Sequence, residues 1–141
     1  MAEADQVRLF DYGSIMHGER DHALLAAATL VSEARTLAAY HLVDLGIYAA
    51  LIAGGDVSVV GELYLIDRKS LFFVDVSKQC PALFERSRIT LEDGTFADAY
   101  LMPEERVRGK RRLKGGSWRG RFAPPARERT RSAFVEALRK R

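Results

Sequence analysis

Apolar and polar positions alternate along the chain in short segments. Val7 to Asp11 predicts a first strand, with Val7 and Leu9 on one face and Arg8 and Phe10 on the other. Tyr12-Gly13-Ser14 breaks it, because Gly and Ser favour tight turns. Asp21 can cap a short helix through His22, Leu24 and Leu25. Thr29 to Leu37 mixes β-branched and polar residues and predicts another strand. Tyr40 to Tyr48 carries an apolar–polar run around Leu42-Val43-Asp44, with Gly46 near its end, and Gly54-Gly55-Asp56 marks a turn. Val57 to Ile66 is the clearest strand, rich in β-branched and aromatic residues, and Gly61 within it marks a bulge or a close approach of backbone.

Asp67 can cap a helix from Arg68 to about Val76, in which Leu71, Phe72, Asp75 and Val76 fall at helical spacings. Pro81 ends that region. Arg88 to Leu91, the turn Glu92-Asp93-Gly94 and Phe96 to Leu101 form a hairpin. Beyond Pro103 the chain is rich in Gly and Arg. Pro124-Pro125 reads as an extended linker, and an amphipathic helix is expected from Thr130, with Phe134, Val135 and Leu138 on one face. There is no internal repeat. Many short strands and few helices imply an α+β domain built round a curved or closed, mainly antiparallel sheet.

Composition narrows the setting. At 141 residues, 48% hydrophobic and 29% charged, the chain is one ordinary domain and neither disordered nor a disulfide scaffold. Its single cysteine, Cys80, excludes an internal disulfide and Cys-based zinc sites, so a reducing, cytoplasmic setting is expected. The apolar runs are too short to span a membrane, and the acidic N-terminus shows no export signal. The net charge of +3 hides an asymmetry. Residues 1–102 hold eight lysines and arginines against fifteen acids, net −7, and residues 103–141 hold fourteen against four, net +10. A basic C-terminal quarter on an acidic body points to an interaction role for the tail.

Several segments, in order, carry a resemblance. Leu9-Phe10-Asp11-Tyr12-Gly13-Ser14-Ile15, followed by His17-Gly18-Glu19-Arg20, resembles the opening strand and Tyr-Gly-Ser loop of the gamma-glutamylcyclotransferase-like family. Leu45-Gly46-Ile47-Tyr48-Ala49-Ala50 resembles its Leu-Gly-x-Tyr-Pro-Ala segment, with Ala49 in place of Pro. Gly61-Glu62-Leu63-Tyr64 resembles its Gly-Glu-Leu-Tyr strand. Pro81, Phe84 and Arg86, then Asp98-Ala99-Tyr100, then Gly116-Ser117-Trp118 follow in the family's order.

The resemblance covers roughly residues 7 to 122. It implies a small mixed, mainly antiparallel β-barrel with flanking helices over residues 1–122, and leaves 123–141 as a basic linker and helix. It also implies release of 5-oxoproline from a small gamma-glutamyl amine or amide by intramolecular acyl transfer, with no metal or organic cofactor. Tyr12, Gly13, Ser14 and Ile15 would hold the glutamyl part, and Tyr48 would border the pocket. The family's motif Leu-Asp-x-x-Glu-Gly-x-Pro supplies a general acid/base glutamate. Here the chain reads Val74-Asp75-Val76-Ser77-Lys78-Gln79-Cys80-Pro81, so Lys78 stands where that glutamate belongs and Gln79 where Gly belongs.

The carboxylate is then expected from Glu62, within an apolar strand, or from Asp75, which shares a helical face with Lys78. Lys78 itself is a solvated helix-end residue, a binder of carboxylate or phosphate, or, less favoured, a neutral catalytic lysine. A pocket that keeps its fold but has lost chemistry, and so binds without turnover, is the alternative. His17, His22 and His41 form no metal pattern, and Ser14 lacks a His/Asp arrangement that would make it a nucleophile. In the tail, Arg106, Arg108, Lys110, Arg111, Arg112, Lys114, Arg119 and Arg121 surround Trp118 and Phe122. They could wrap the acidic body, associate with a second copy as a homodimer, close over the pocket, or track a nucleic acid, the last being least favoured.

Overall fold

A computed structural model describes residues 5–122. Eight strands follow along the chain: β1 (Gln6–Asp11), β2 (Thr29–Arg35), β3 (Tyr40–Asp44), β4 (Ala49–Ala53), β5 (Val60–Asp67), β6 (Glu85–Thr90), β7 (Phe96–Leu101) and β8 (Arg111–Arg112). One α-helix, α1 (Arg68–Ser77), and two short 3₁₀ turns, His22–Leu25 and Glu104–Arg106, complete the described elements. All eight strands join one sheet, ordered β2-β5-β1-β7-β4-β3-β8, with β6 also on β7.

The curl of the sheet follows from β7. Its partner β6 runs its whole length, from Thr90 opposite Phe96 to Glu85 opposite Leu101, and takes one edge. β1 and β4 therefore share the other edge. Both run parallel to β7, and each meets it at one position, Leu9 opposite Asp98 and Leu51 opposite Leu101. The two strands fork there, and the remaining pairs are antiparallel, so the sheet closes to a half barrel. The family-like mixed, mainly antiparallel architecture is thus present, with its flanking helices reduced to α1 and the two single turns.

Strand alternation sorts the core into two sides. Phe10, Tyr12, Leu42, Leu51, Leu63 and Trp118 are buried in one cluster inside the curl. Leu9, Tyr64 and Ile66 are buried on the other side, under Leu71 and Val74 of α1 and beside Phe84 and Tyr100. Asp67 caps α1 as the spacing predicts: its Oδ1 accepts from the Ser70 N–H at 2.8 Å. Asp21, in contrast, makes no capping bond to the turn that follows it. Gly61 is a site of close approach, since a Cβ there would lie 2.2 Å from the Asp11 carbonyl oxygen.

Several boundaries differ from expectation, β6 among them, which runs from Glu85 to Thr90 rather than from Arg88 to Leu91. β5 begins at Val60 rather than Val57, because residues 57–59 cross between other partners. Val57 bridges Tyr40, while Val59 exchanges hydrogen bonds with Thr36. Ala49–Ala53 forms β4, although its unbroken apolar run shows no alternation to mark a strand. The expected linker at Pro124-Pro125 and helix from Thr130 lie outside the described residues. Of the basic segment inside them, Arg106 donates to the Ala82 and Leu83 carbonyls, Arg112 pairs with Glu104, and Trp118 is 2% exposed. No helix among the described residues is long and apolar enough to cross a membrane.

Candidate active site

The fork between β1 and β4 needs a filler, and Tyr12 supplies it. Its hydroxyl donates to the Tyr100 carbonyl of β7 and accepts from the Leu51 N–H of β4 at 3.1 Å. One side chain thus bridges the strands that part at this point. Burial and the Asp11 charge push its phenol well above the ordinary range, so it stays protonated and able to donate. Gly13 follows, and a Cβ there would meet the Ala49 Cβ at 3.4 Å.

The chain then folds into a loop fixed at several points. The Gly13 and Ser14 carbonyls accept from Met16 and Asp21, and His22 Nδ1 bonds the Ile15 carbonyl at 2.8 Å. Ser14 and Ile15 are buried, yet their N–H groups donate to no backbone carbonyl among the described residues. They border a cavity of about 300 Å³, together with Tyr48, Lys78, Gln79 and Phe84. A hollow of about 450 Å³ lies elsewhere, against Ser32, Arg35, Val60 and Glu92, and none of the residues singled out from sequence borders it.

Helix α1 delivers Lys78 to this cavity. The helix ends in two bonds, from the Gln79 N–H to the Val76 carbonyl and from the Cys80 N–H to the Asp75 carbonyl, both at 3.0 Å. This closing pattern places Lys78 at the cap and requires a left-handed residue after it. Gln79 takes that conformation with φ +54°. A backbone conformation that favours glycine is thus taken by Gln79. The Lys78 ammonium lies 5.0 Å from the Phe84 ring centre and 5.9 Å from that of Tyr100. Among the described residues, no carboxylate lies within ion-pair distance of it.

The two carboxylates singled out from sequence are engaged elsewhere. Glu62 is 5% exposed, and its Oε1 accepts from the His17 N–H at 2.7 Å and the Tyr64 hydroxyl at 2.8 Å. Arg119 approaches its Oε2 at 3.5 Å and also donates to the His17 carbonyl. Burial alone would raise the Glu62 carboxyl, but the His17 N–H, the Tyr64 hydroxyl and Arg119 together hold it below the ordinary range. Asp75 accepts from Arg86 Nε at 2.9 Å and from the Tyr100 hydroxyl at 2.6 Å, and Arg86 also pairs with Asp98. Neither Glu62 nor Asp75 borders the cavity. Glu62 pins the loop, and Asp75 ties α1 to the β6–β7 hairpin.

A third carboxylate, which the strand pattern treats only as the last residue of β1, is Asp11. It is 3% exposed and does not line the cavity, and among the described residues its Oδ2 has no hydrogen-bond partner. Burial pushes its carboxyl above the ordinary range; Lys78 and the N–H groups of Gly13 and Tyr12 act against this, while Glu62 adds to it. The signal available in the sequence was an acid between the apolar pair Leu9-Phe10 and the Tyr-Gly-Ser turn.

The family model described as gamma-glutamyl cyclotransferase, AIG2-like, matches residues 9–120. The chain belongs to this family. It is 36% identical over 96 residues to a Vibrio cholerae protein named "Putative gamma-glutamylcyclotransferase", covering 68% of this chain and 82% of that one. It is 30% identical over 93 residues to human gamma-glutamylaminecyclotransferase, where the match spans 60% of this chain and 61% of the human protein. Among solved structures, a uropathogenic E. coli-specific protein superposes with a TM-score of 0.70 at 26% identity, over 81% of this chain and 93% of that one. A mouse AIG2-like protein superposes with a TM-score of 0.61 at 23% identity, over 69% and 77%. The ordered segments that carried the resemblance are therefore those of a gamma-glutamyl cyclotransferase-like chain, and the cavity lies at the loop they share.

Proposed function

We propose that this chain catalyses a cyclotransferase-type reaction on a small gamma-glutamyl amine or amide, the α-amine attacking its own γ-carbonyl to release 5-oxoproline. The observation that carries this reading is the cavity between the Ser14–Ile15 loop and the Lys78 end of α1. Its volume suits a compound of this size. Glu62 and the loop's own bonds hold the loop, which supports a role for its N–H groups as donors to a carbonyl oxygen on which negative charge grows. Folding the glutamyl chain so that amine meets carbonyl converts binding energy into positioning, an effect of up to roughly 7–11 kcal/mol in well-oriented intramolecular systems.

A second reading, binding without turnover, draws its support from Lys78 standing at the family's glutamate position. One assay separates the two. The purified chain is incubated with a panel of gamma-glutamyl amines, and 5-oxoproline is measured by chromatography. The acyl-transfer reading predicts product above blank from wild type, and a panel with none defeats it. Product from Lys78→Glu alone would assign the natural chain to binding.

A further inference from the structure

The charges around the cavity are redistributed relative to the family motif, and their placement can be read from strand register. Leu9 pairs with Tyr64 and Asp11 with Glu62 across β1 and β5. Alternation therefore puts Asp11 on the same side of the sheet as Leu9 and Tyr64, the side that α1 covers. The Lys78 ammonium rests against Phe84 and Tyr100, two members of that same cluster. Lys78 borders the cavity, while Asp11 lies just before the loop whose Ser14 and Ile15 form the cavity wall. The remaining charge on the wall is Asp21, which is partly exposed and faces Arg20 at 3.7 Å. Among the described residues, Asp11 thus keeps an unpartnered oxygen just outside the hollow's lining, with the Lys78 charge acting on its carboxyl, and Lys78 stands unpaired at the hollow itself. That arrangement matches the free head of an α-amino acid, which carries one charge of each sign.

We propose that Lys78 and Asp11 together recognise the zwitterionic head of the gamma-glutamyl substrate, Lys78 taking its α-carboxylate and Asp11 its α-ammonium, and that Asp11 is the proton acceptor for cyclisation. This rests on the acyl-transfer reading above and moves its base from the helix end to the end of β1. An Asp11 carboxylate oxygen takes one proton from the α-ammonium. The freed nitrogen forms a bond to the γ-carbonyl carbon, and the carbonyl electrons move onto oxygen beside the loop N–H groups. Asp11 gives its proton to the departing nitrogen, the carbon–nitrogen bond to the amine breaks, and the carbonyl re-forms. The ring nitrogen loses its remaining extra proton through Asp11 to the amine, which leaves as an ammonium ion. Asp11 ends as the carboxylate it began as. Burial suits the role, because an acid that accepts a proton readily can hold it between the two transfers. The pair also excludes substrates whose α-amine is blocked.

The test uses the full chain, a gamma-glutamyl amine that wild type converts, and 5-oxoproline as a ligand that keeps the carboxylate but lacks the ammonium. Asp11→Asn is expected to lower kcat by roughly 10²–10⁴-fold, the span of a general base, with 5-oxoproline affinity unchanged by calorimetry. Lys78→Met is expected to weaken 5-oxoproline by about 10- to 100-fold, the worth of a charge-assisted bond. Asp21→Asn, on the cavity wall, is expected to lower kcat far less than Asp11→Asn does. Thermal melts confirm that each variant is folded. An active wild type whose Asp11→Asn variant turns over at the wild-type rate, or whose activity disappears instead with Asp21→Asn, overturns the assignment and leaves the reaction standing. A wild type that converts nothing and binds no 5-oxoproline overturns both.

Discussion

Tyr12 and Asp11 are neighbours on one strand end, yet they face opposite sides of the sheet and do different work. The Tyr12 hydroxyl closes the gap where β1 and β4 part, so Tyr12→Phe leaves the Leu51 N–H and the Tyr100 carbonyl short of a buried partner. The expected loss is about 1–3 kcal/mol, read by urea unfolding, without a change in the cavity wall. Asp11 should behave in the reverse sense. Its folded pKa is raised above the ordinary 3.8, so the folded chain binds this proton more tightly than the unfolded chain does. Below 3.8 both states hold the proton and the cost vanishes; above the folded value the cost is felt in full. Asp11→Asn is therefore expected to raise the melting temperature at pH 8, with the gain fading as the pH falls toward 3.8. A functional site that carries strain in this way commonly loses activity when it gains stability.

At the scale of elements, the end of α1 and the loop after β1 set the cavity. The left-handed backbone at Gln79 is one that side chains disfavour, so Gln79→Gly is expected to stabilise by about 1 kcal/mol in denaturant titration while keeping Lys78 at the helix cap. The loop is controlled by Glu62. Its folded pKa lies below the ordinary 4.5, so its contribution is complete above that value and is lost as the pH falls through the folded value. Acidification should thus release the His17 N–H and loosen residues 13–22, seen as faster amide hydrogen exchange there than in β5. Glu62→Gln is expected to flatten this acid limb. Arg119, from the basic segment, touches Glu62, Glu19 and the His17 carbonyl, so part of the basic segment buttresses the site.

Across the whole molecule, the acidic body and basic C-terminal quarter meet in the described residues rather than standing apart. Arg111 faces Asp44 and Arg119 faces Glu19 and Glu62, while within the basic quarter Arg112 pairs with Glu104 and Arg121 stacks on Trp118 at 3.9 Å from its ring centre. Trp118 is the chain's single tryptophan and lies within the inner cluster. Trp118→Ala is expected to cost about 3–5 kcal/mol, and truncation after Met102 should abolish cooperative unfolding. Native fluorescence should be blue-shifted and move red in one transition.

Much of this was written into local sequence. The hairpin of β6 and β7 follows from its Asp-Gly turn, α1 from the Asp67 cap, and the close approach at Gly61 from a glycine in a strand. β4 was not legible, because Ala49–Ala53 is buried on both faces and an unbroken apolar run fits either element. The site was legible as a loop and a helix end, through Ser14, Ile15, Tyr48 and Lys78. The engagement of Glu62 and Asp75 by Tyr64, Arg86 and Arg119 was not, since those bonds join residues distant in the chain. The sequence determined the elements and their turns, because periodicity, capping and turn chemistry act between near neighbours. Only the tertiary structure decided which buried acid keeps an oxygen without a hydrogen-bond partner, because burial and charge pairing depend on strands that meet through the sheet, and among the described residues that acid is Asp11, on the side of the sheet that Lys78 faces.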